Sequence, residues 1–576
     1  MRKILRGELI PRFNVLALDT ETTGLSWESK PYMLSTYDGI RSRIFDLRDE
    51  FNCVRAGIHL LKFNYFIGAN TWFDLRMLVC HKILTKEFVA SIHVRDVLRD
   101  NYVKTGVWAG LKETAKQVLG VMPNARDAQF DAMRNLHPRC NHVYALTHGY
   151  EVWDVTAEYC KQDSIMAWNL AKALPQSDTR ADKLTLMQTL TGVRISKEFA
   201  QRCSRQLRKV GNEITCKHGA IVCSPKQIAA RLGTRKADKE TLKKLQRTDE
   251  LANDVLSYRE TAKLADMFDG IVKQTDRYSR VHPLLSWACA TGRASCKCPN
   301  LQNLHSQPVR GMVLRNVVLA DEGQNIVCAD YSGIELVLFA HLADCKQIIS
   351  WLNSGQDAHS NLTELVFGGK NAFQSVKTAS NGRHTDKEIE EALHLNGDSV
   401  VQTEKALSCS RSRSINKRLM FATIYGAQAQ KVSSILSIKI AEARMLLRRL
   451  HRALPELRHT QNFLSGFASK HGYVVTMTDR RIDCDSPHKA MNRVIQATAA
   501  DIIRKALVDV DLWLTDNNMG RVLLTVHDEL IASIVATMEK RCGEQMTHLM
   551  TKAAKRLCGI PISAEYVIHG SCWNTK

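Results

Sequence analysis

What most constrains this chain is a pair of carboxylates, each delivered at the end of an apolar, strand-like run, in two stretches far apart in sequence. One stretch, 327–335, runs from Val327 to Asp330 and on through Tyr331 and Ser332 to Glu335; the other, 524–530, runs from Leu524 to His527, Asp528 and Glu529. Hard divalent cations such as Mg²⁺ prefer oxygen ligands and share them with a substrate's phosphates, so two strand-borne aspartates suit two-metal phosphoryl transfer. Between the two stretches lies Arg413-x3-Lys417-x3-Phe421-x3-Tyr425-Gly426. That spacing puts two cations, an aromatic ring and a Tyr-Gly end on one helical face, where phosphates would be met.

These residues, in this order, resemble the palm and fingers motifs of the family A DNA polymerases. The first palm motif is similar to Asp330–Glu335, the fingers helix to 413–426, and the last palm motif to His527–Glu529. Thr291-Gly292-Arg293, then Pro299-Asn300-Leu301-Gln302-Asn303, Arg480-Arg481 and Asn492-x3-Gln496-x-Thr498-Ala499-Ala500-Asp501 surround them. Singly, each motif reads as an ordinary strand end or solvated helix; their ordered conjunction carries the resemblance.

A second carboxylate set opens the chain. An apolar run from Val15 ends in Asp19-Thr20-Glu21, so strand alternation points both acids to one side. Asp74 follows in Gly68-Ala69-Asn70-Thr71-Trp72-Phe73-Asp74, and Tyr159-x3-Asp163 stacks a phenol and an acid on one helical face. The set resembles the proofreading 3′ to 5′ exonuclease of the same polymerases in its tyrosine-containing form, with Asp19, Glu21, Asp74 and Asp163 as metal ligands and Tyr159 orienting the attacking water. Tyr-x3-Asp alone is more often a surface pair; all four acids in order argue for an active centre.

At 576 residues the chain is too long for one core. The 80 Lys and Arg against 59 Asp and Glu give a net charge of +21, which suits a polyanionic partner or simple solubility. Its 17 cysteines form no compact disulfide framework, and Cys289, Cys296 and Cys298 make a poor zinc site. No secretory leader precedes Leu16 and no apolar run nears the roughly 20 residues a membrane span needs. A reduced intracellular compartment is expected, the host cytoplasm for a viral protein, with no membrane partner.

The resemblance implies a multidomain α/β and α+β fold: an RNase H-like exonuclease domain over 1–178, then a right-hand polymerase with thumb 179–280, palm 281–345 and 461–576, and fingers 346–460. The Lys-, Arg-, Leu- and Glu-rich stretch from about 180 to 280 reads as amphipathic helices. It also implies that Asp330, Asp528 and the Tyr331 carbonyl hold two Mg²⁺ ions, with Mn²⁺ able to substitute. Arg413, Lys417 and His359 would bind the triphosphate, with Lys417 protonating the leaving pyrophosphate. Phe421, Tyr425 and Glu335 would face the incoming nucleotide, Glu335 as a steric gate beneath its sugar. Arg293, Asn300, Gln302, Asn303, Asn492, Gln496 and His527 would contact DNA. Primer-template DNA and dNTPs are the expected partners, with a helicase-primase or processivity factor as the kind of accessory protein such enzymes use.

Three departures limit the carry-over. Gly333 stands where Gln is usual, His488 where Arg is common, and a polar segment, 369–410, reads as an insertion on the fingers. No 5′-nuclease stretch precedes residue 10, which points to a compact, replicative bacteriophage-style enzyme. A repair or lesion-bypass polymerase with vestigial proofreading, and an inactive DNA-binding scaffold, are the competing readings. The complete carboxylate sets argue against both.

Overall fold

The computed structural model describes residues 14–121, 125–246, 248–356, 426–436 and 438–574, together with Ala358, Asn361 and Ala422. His359, Arg413, Lys417, Phe421, Tyr425 and the 369–410 insertion lie outside the described residues.

The N-terminal unit is built on a five-stranded sheet of β1 (Val15–Thr22), β2 (Pro31–Tyr37), β3 (Ser42–Asp46), β4 (Tyr65–Gly68) and β5 (His93–Asp96), ordered β3-β2-β1-β4-β5. β1 runs antiparallel to β2 and parallel to β4. Strand alternation divides β1 between two cores. Leu16 and Leu18 pack with Leu34, Phe66 and Leu75, whereas Ala17 packs with Met166 and Leu170 on the other face. Asp19 and Glu21 share the parity of Ala17, so they leave the sheet on the side covered by the helix carrying Met166.

Three helices complete this unit's site: α1 (Thr71–Cys80), α2 (Leu111–Leu119) and α3 (Trp153–Ala173). Asn70 begins α1 in the left-handed region, at φ 60°, a conformation Asn tolerates better than most residues. Its backbone N–H donates to Asp96 at 3.1 Å, which fixes the turn that aims α1 at the end of β1.

The chain then continues through the helix Arg180–Thr191, the first element of the expected thumb, whose Leu186 packs into the N-terminal core. Beyond it, α4 (Lys197–His218) and α5 (Glu250–Gln274) pack along each other as a long helical arm. Arg208 of α4 pairs with Asp266 of α5 at 2.9 Å and also with Asp269. A separate small core, including Ile228, Leu242 and Val255, seals the far end of the arm.

A four-stranded sheet anchors the rest: β6 (Gln324–Tyr331), β7 (Gly520–Val526), β8 (Glu529–Val535) and β9 (Ala564–Gly570), ordered β7-β8-β6-β9 and antiparallel throughout. Both faces are buried, so β6 reads as a continuous apolar run. Val327, Ala329 and Tyr331 join one core with Ile495, Ile502 and Met546, from helices α7 (Ala490–Asp516) and α8 (Glu539–Cys558). Ile326 and Cys328 join another with Leu207 of α4 and Phe268 of α5. Helix α6 (Ile334–Leu342) leaves the end of β6 through Gly333, whose φ of +65° is one that glycine adopts without the clash a Cβ brings.

Candidate active sites

In the central sheet the two sequence-distant aspartates come together through strand register. Asp330, the penultimate residue of β6, is the direct cross-strand partner of Glu529, the first residue of β8. Asp528 precedes Glu529 in the two-residue turn joining β7 to β8, and its carbonyl accepts from the Tyr331 N–H at 3.4 Å. The turn's other residue, His527, is exposed and sits at φ 57°. That backbone cost is consistent with a functional turn. Burial, and next the neighbouring Asp330 charge, push Asp528 up to about 6. Two mutually repelling carboxylates with only oxygen donors fit a pair of hard cations better than they fit each other.

Around them the fold sorts the expected contact residues. The Tyr331 phenol is turned into the core, where it donates to the Met550 carbonyl at 2.6 Å. Glu335, in the first turn of α6, pairs with Arg293 at 2.5 Å, so the expected sugar gate is held by the expected DNA contact. Gln302 donates to the Thr525 carbonyl at 2.7 Å, and the Asn300 side chain accepts from the Gln302 N–H at 3.1 Å. Gln302 thus holds the 300–303 turn against β7 while Asn300 caps that turn internally, whereas Asn303 is exposed. Asn492 and Gln496 lie one turn apart on α7, both half-buried, and Asn492 Oδ1 is buried without a hydrogen-bond partner among the described residues. A buried acceptor without a protein partner has room for a water, an ion or a ligand group. A Cβ on Gly426 would come within 3.1 Å of the His488 carbonyl, so the end of the expected fingers helix abuts the start of α7.

Two supports were not legible in the sequence. Beneath the Thr291–Gly292 turn, Arg480 donates to Asp501 at 2.8 Å, to the Thr291 carbonyl at 3.0 Å and to the Tyr102 hydroxyl of the N-terminal unit at 2.7 Å. Beneath the strand ends, the buried Glu529 lies 3.6 Å from Arg315, whose guanidinium stacks on Trp573 at 4.1 Å. Arg480 was visible as part of a motif; its partners were not, because they come from three separate segments.

The N-terminal site sets Asp19, Glu21 and Asp74 near one another, and ties Asp163 to them through Lys112. Asp74 Oδ1 accepts from Thr20 Oγ1 at 2.5 Å and from the Thr20 N–H at 3.1 Å, which locks α1 to the end of β1. On α3, Tyr159 and Asp163 are buried, and the Cys160 thiol between them lies 3.5 Å from the Asp19 carbonyl. Ligand atoms of Asp19, Glu21 and Cys160 lie within 4.8 Å of one another. Burial pushes Asp19 up to about 6, with Lys112 acting against it. Burial and then the Asp19 charge raise Glu21 well above the usual carboxylate range, and the same two causes raise Asp74. Burial likewise keeps Cys160 protonated and hence a weak ligand. The remaining donors are carboxylate oxygens, which fit Mg²⁺ or Mn²⁺.

Lys112, on α2, was not foreseen. Its ammonium pairs with Asp163 and lies 4.4 Å from the centre of the Tyr159 ring. In sequence it is one lysine among many on an amphipathic helix, with no signal of its own.

Among the described residues, no helix is long and apolar enough to cross a membrane. Comparison with known proteins gives a consistent picture. The chain is 27% identical to DNA polymerase I of Chloroflexus aurantiacus over 350 residues, 58% of this chain and 33% of that protein. It is 25% identical to DNA polymerase I of Geobacillus stearothermophilus over 466 residues, 72% of this chain and 49% of that one. It thus spans between a third and half the length of these relatives. In fold it is similar to the POL domain of Pol1 from M. smegmatis, solved with DNA primer-template and dNTP, with a TM-score of 0.70, 18% identity and coverage of 97% of this chain and 96% of that one. The sequence profile of DNA polymerase family A matches residues 193–392 and 394–575, which takes in β6, the Asp528 turn and everything between them except residue 393. The chain belongs to DNA polymerase family A.

Proposed function

We propose that the chain extends a DNA primer by template-directed addition of deoxynucleotides and trims mispaired 3′ ends in a separate centre. In this reading the N-terminal unit is an RNase H-like exonuclease, α4 and α5 form the thumb, the four-stranded sheet is the palm, and the segment from 346 to 460 supplies the fingers. The observation that carries it is the meeting of Asp330 and Asp528 at adjoining strand ends within the region matched to the family.

Asp330, Asp528 and the Tyr331 carbonyl would hold the palm's pair of Mg²⁺ ions, and Asp19, Glu21, Asp74 and Asp163 those of the exonuclease. Such ions, when bound, lower the pKa of an attacking hydroxyl or water and offset charge on phosphate oxygens. The protein's own groups do the rest. Arg413, Lys417 and His359 neutralise the triphosphate, and Lys417 gives a proton to the departing pyrophosphate. Glu335, steadied by Arg293, closes the floor beneath the sugar, Phe421 stacks against the sugar and base, and Tyr425 with Gly426 closes against the templating pair. Arg293, Asn492, Gln496 and His527 test the minor-groove edge, where acceptors of correct pairs occupy shared positions, so pair shape is read while sequence is ignored. In the exonuclease, the Tyr159 hydroxyl orients the water.

A complete acid set in the trimming centre supports a replicative enzyme over a repair polymerase with vestigial proofreading. A primed template incubated with dNTPs and Mg²⁺ tests the reading: full-length product is expected, and none with EDTA. A chain that binds the template but never extends it would instead be a scaffold.

A further inference from the structure

Lys112 stands out because a cation occupies part of a site otherwise made of acids. Its ammonium pairs with Asp163, packs on the Tyr159 face at 4.4 Å and acts electrostatically on Asp19 and Glu21. Of the three carboxylates it acts on, Glu21 and Asp163 are less than a tenth exposed, and its own side chain is 20% exposed. Four buried acids without a cation repel one another, and a single lysine relieves only part of that. The location of Lys112 also bears on geometry. It bridges α2 to α3, touching both residues that α3 contributes, the Tyr159 ring and the Asp163 carboxylate.

We propose that Lys112 is a positioning residue of the trimming centre: a built-in counter-cation that holds Asp163 and Tyr159 in place when divalent ions are away and competes with those ions for Asp163. This rests on the exonuclease reading of the N-terminal unit. A lysine suits the role because its charge sits on a flexible four-carbon stem that can withdraw toward solvent without unfolding α2. Competition has a signature that a purely structural role lacks. Removing a structural residue loosens the site and weakens cation binding, whereas removing a competitor strengthens it.

The test uses the full chain carrying Asp330→Ala and Asp528→Ala, so that the palm acids do not contribute, with Mn²⁺ as the probe and free Mn²⁺ read by electron paramagnetic resonance. Lys112→Met should bind Mn²⁺ about tenfold more tightly than its parent, the size expected for losing one nearby positive charge. Without metal its Tm should be lower than the parent's, and Mn²⁺ should close that gap. Lys112→Arg keeps the charge and should stay within about twofold of the parent. Equal or weaker Mn²⁺ binding in Lys112→Met would overturn the proposal. So would tightening in Lys112→Arg as large as that expected for Lys112→Met, an outcome that stays readable if the Met variant does not fold. Trimming of single strands by the parent is scored separately, so a failure of the exonuclease reading is not mistaken for a failure of the lysine.

Discussion

The two carboxylate centres are built on opposite plans. In the N-terminal unit, four acids from β1, α1 and α3 converge within one small domain, mostly buried, with a lysine already among them. In the central sheet, two acids meet at strand ends that β-pairing brings together across almost 200 residues of chain, and the flanking Glu335 is held by Arg293. The first centre is a closed cluster whose charge must be managed continuously. The second is an open floor, and the cationic helix expected to face it belongs to another segment. Trimming should therefore depend on local residues alone, whereas synthesis should respond to residues from the whole second half of the chain.

The largest separation of the two centres is expected from Asp19→Ala with Glu21→Ala. Removing two ligands should lower trimming by about a thousandfold or more while extension stays at the parental rate. Residual trimming at the parental rate, measured on a 3′-labelled single strand, would show that other acids do the work.

Two smaller changes probe the open centre. Glu335→Ala removes the partner of Arg293 and the proposed sugar floor, so ribonucleotide insertion should rise about tenfold or more relative to deoxynucleotide insertion, with slower normal synthesis. Competition between the two nucleotide types in single-turnover extension reads it, and an unchanged ratio would place the gate elsewhere. Phe421→Tyr, at a position outside the described residues, adds a hydroxyl where the 3′-OH of the incoming sugar would lie. Dideoxynucleotide use should rise by about 1 to 3 kcal/mol of selectivity. Identical termination ladders for parent and variant would show that the helix register is wrong.

The smallest effect is one of pH. Asp528 is raised from 3.8 to about 6, so below pH 6 it holds a proton that an entering cation must displace. Half-saturating Mg²⁺ for extension should be nearly constant from pH 7 to 8 and rise up to about tenfold per unit of pH below 6. The sign for stability follows from the same shift. Between 3.8 and about 6 the folded chain keeps a proton the unfolded chain has lost, so this carboxyl's contribution declines as pH rises through that window. A flat Mg²⁺ requirement down to pH 5 would mean that Asp528 is not a ligand.

Much of both centres was legible because local periodicity carried it. Alternation along β1 put Asp19 and Glu21 on one side, and four-residue spacing on α3 put Tyr159 with Asp163. The apolar runs before Asp330 and Asp528 were strands, as their composition suggested. What escaped was set by tertiary packing. Lys112 reaches its acids from another helix, and Arg480 meets Tyr102 across a sequence separation of 378 residues. Asn300 and Gln302 were read as DNA contacts, yet the bonds they make in the fold are internal ones to the chain's own backbone, a use that motif spacing does not reveal. Helix 180–191 has the composition of an arm helix, but one buried leucine ties it to the N-terminal core.

In the proposed function, synthesis and trimming run on separate carboxylate sets. Asp528→Ala, assayed with Mg²⁺ on one labelled primer-template with dNTPs and on the same primer as a free single strand, tests it most directly. Extension should fall by about a thousandfold or more while the single strand is shortened at the parental rate. Near-normal extension, or loss of both activities together in a chain of parental Tm, would contradict it.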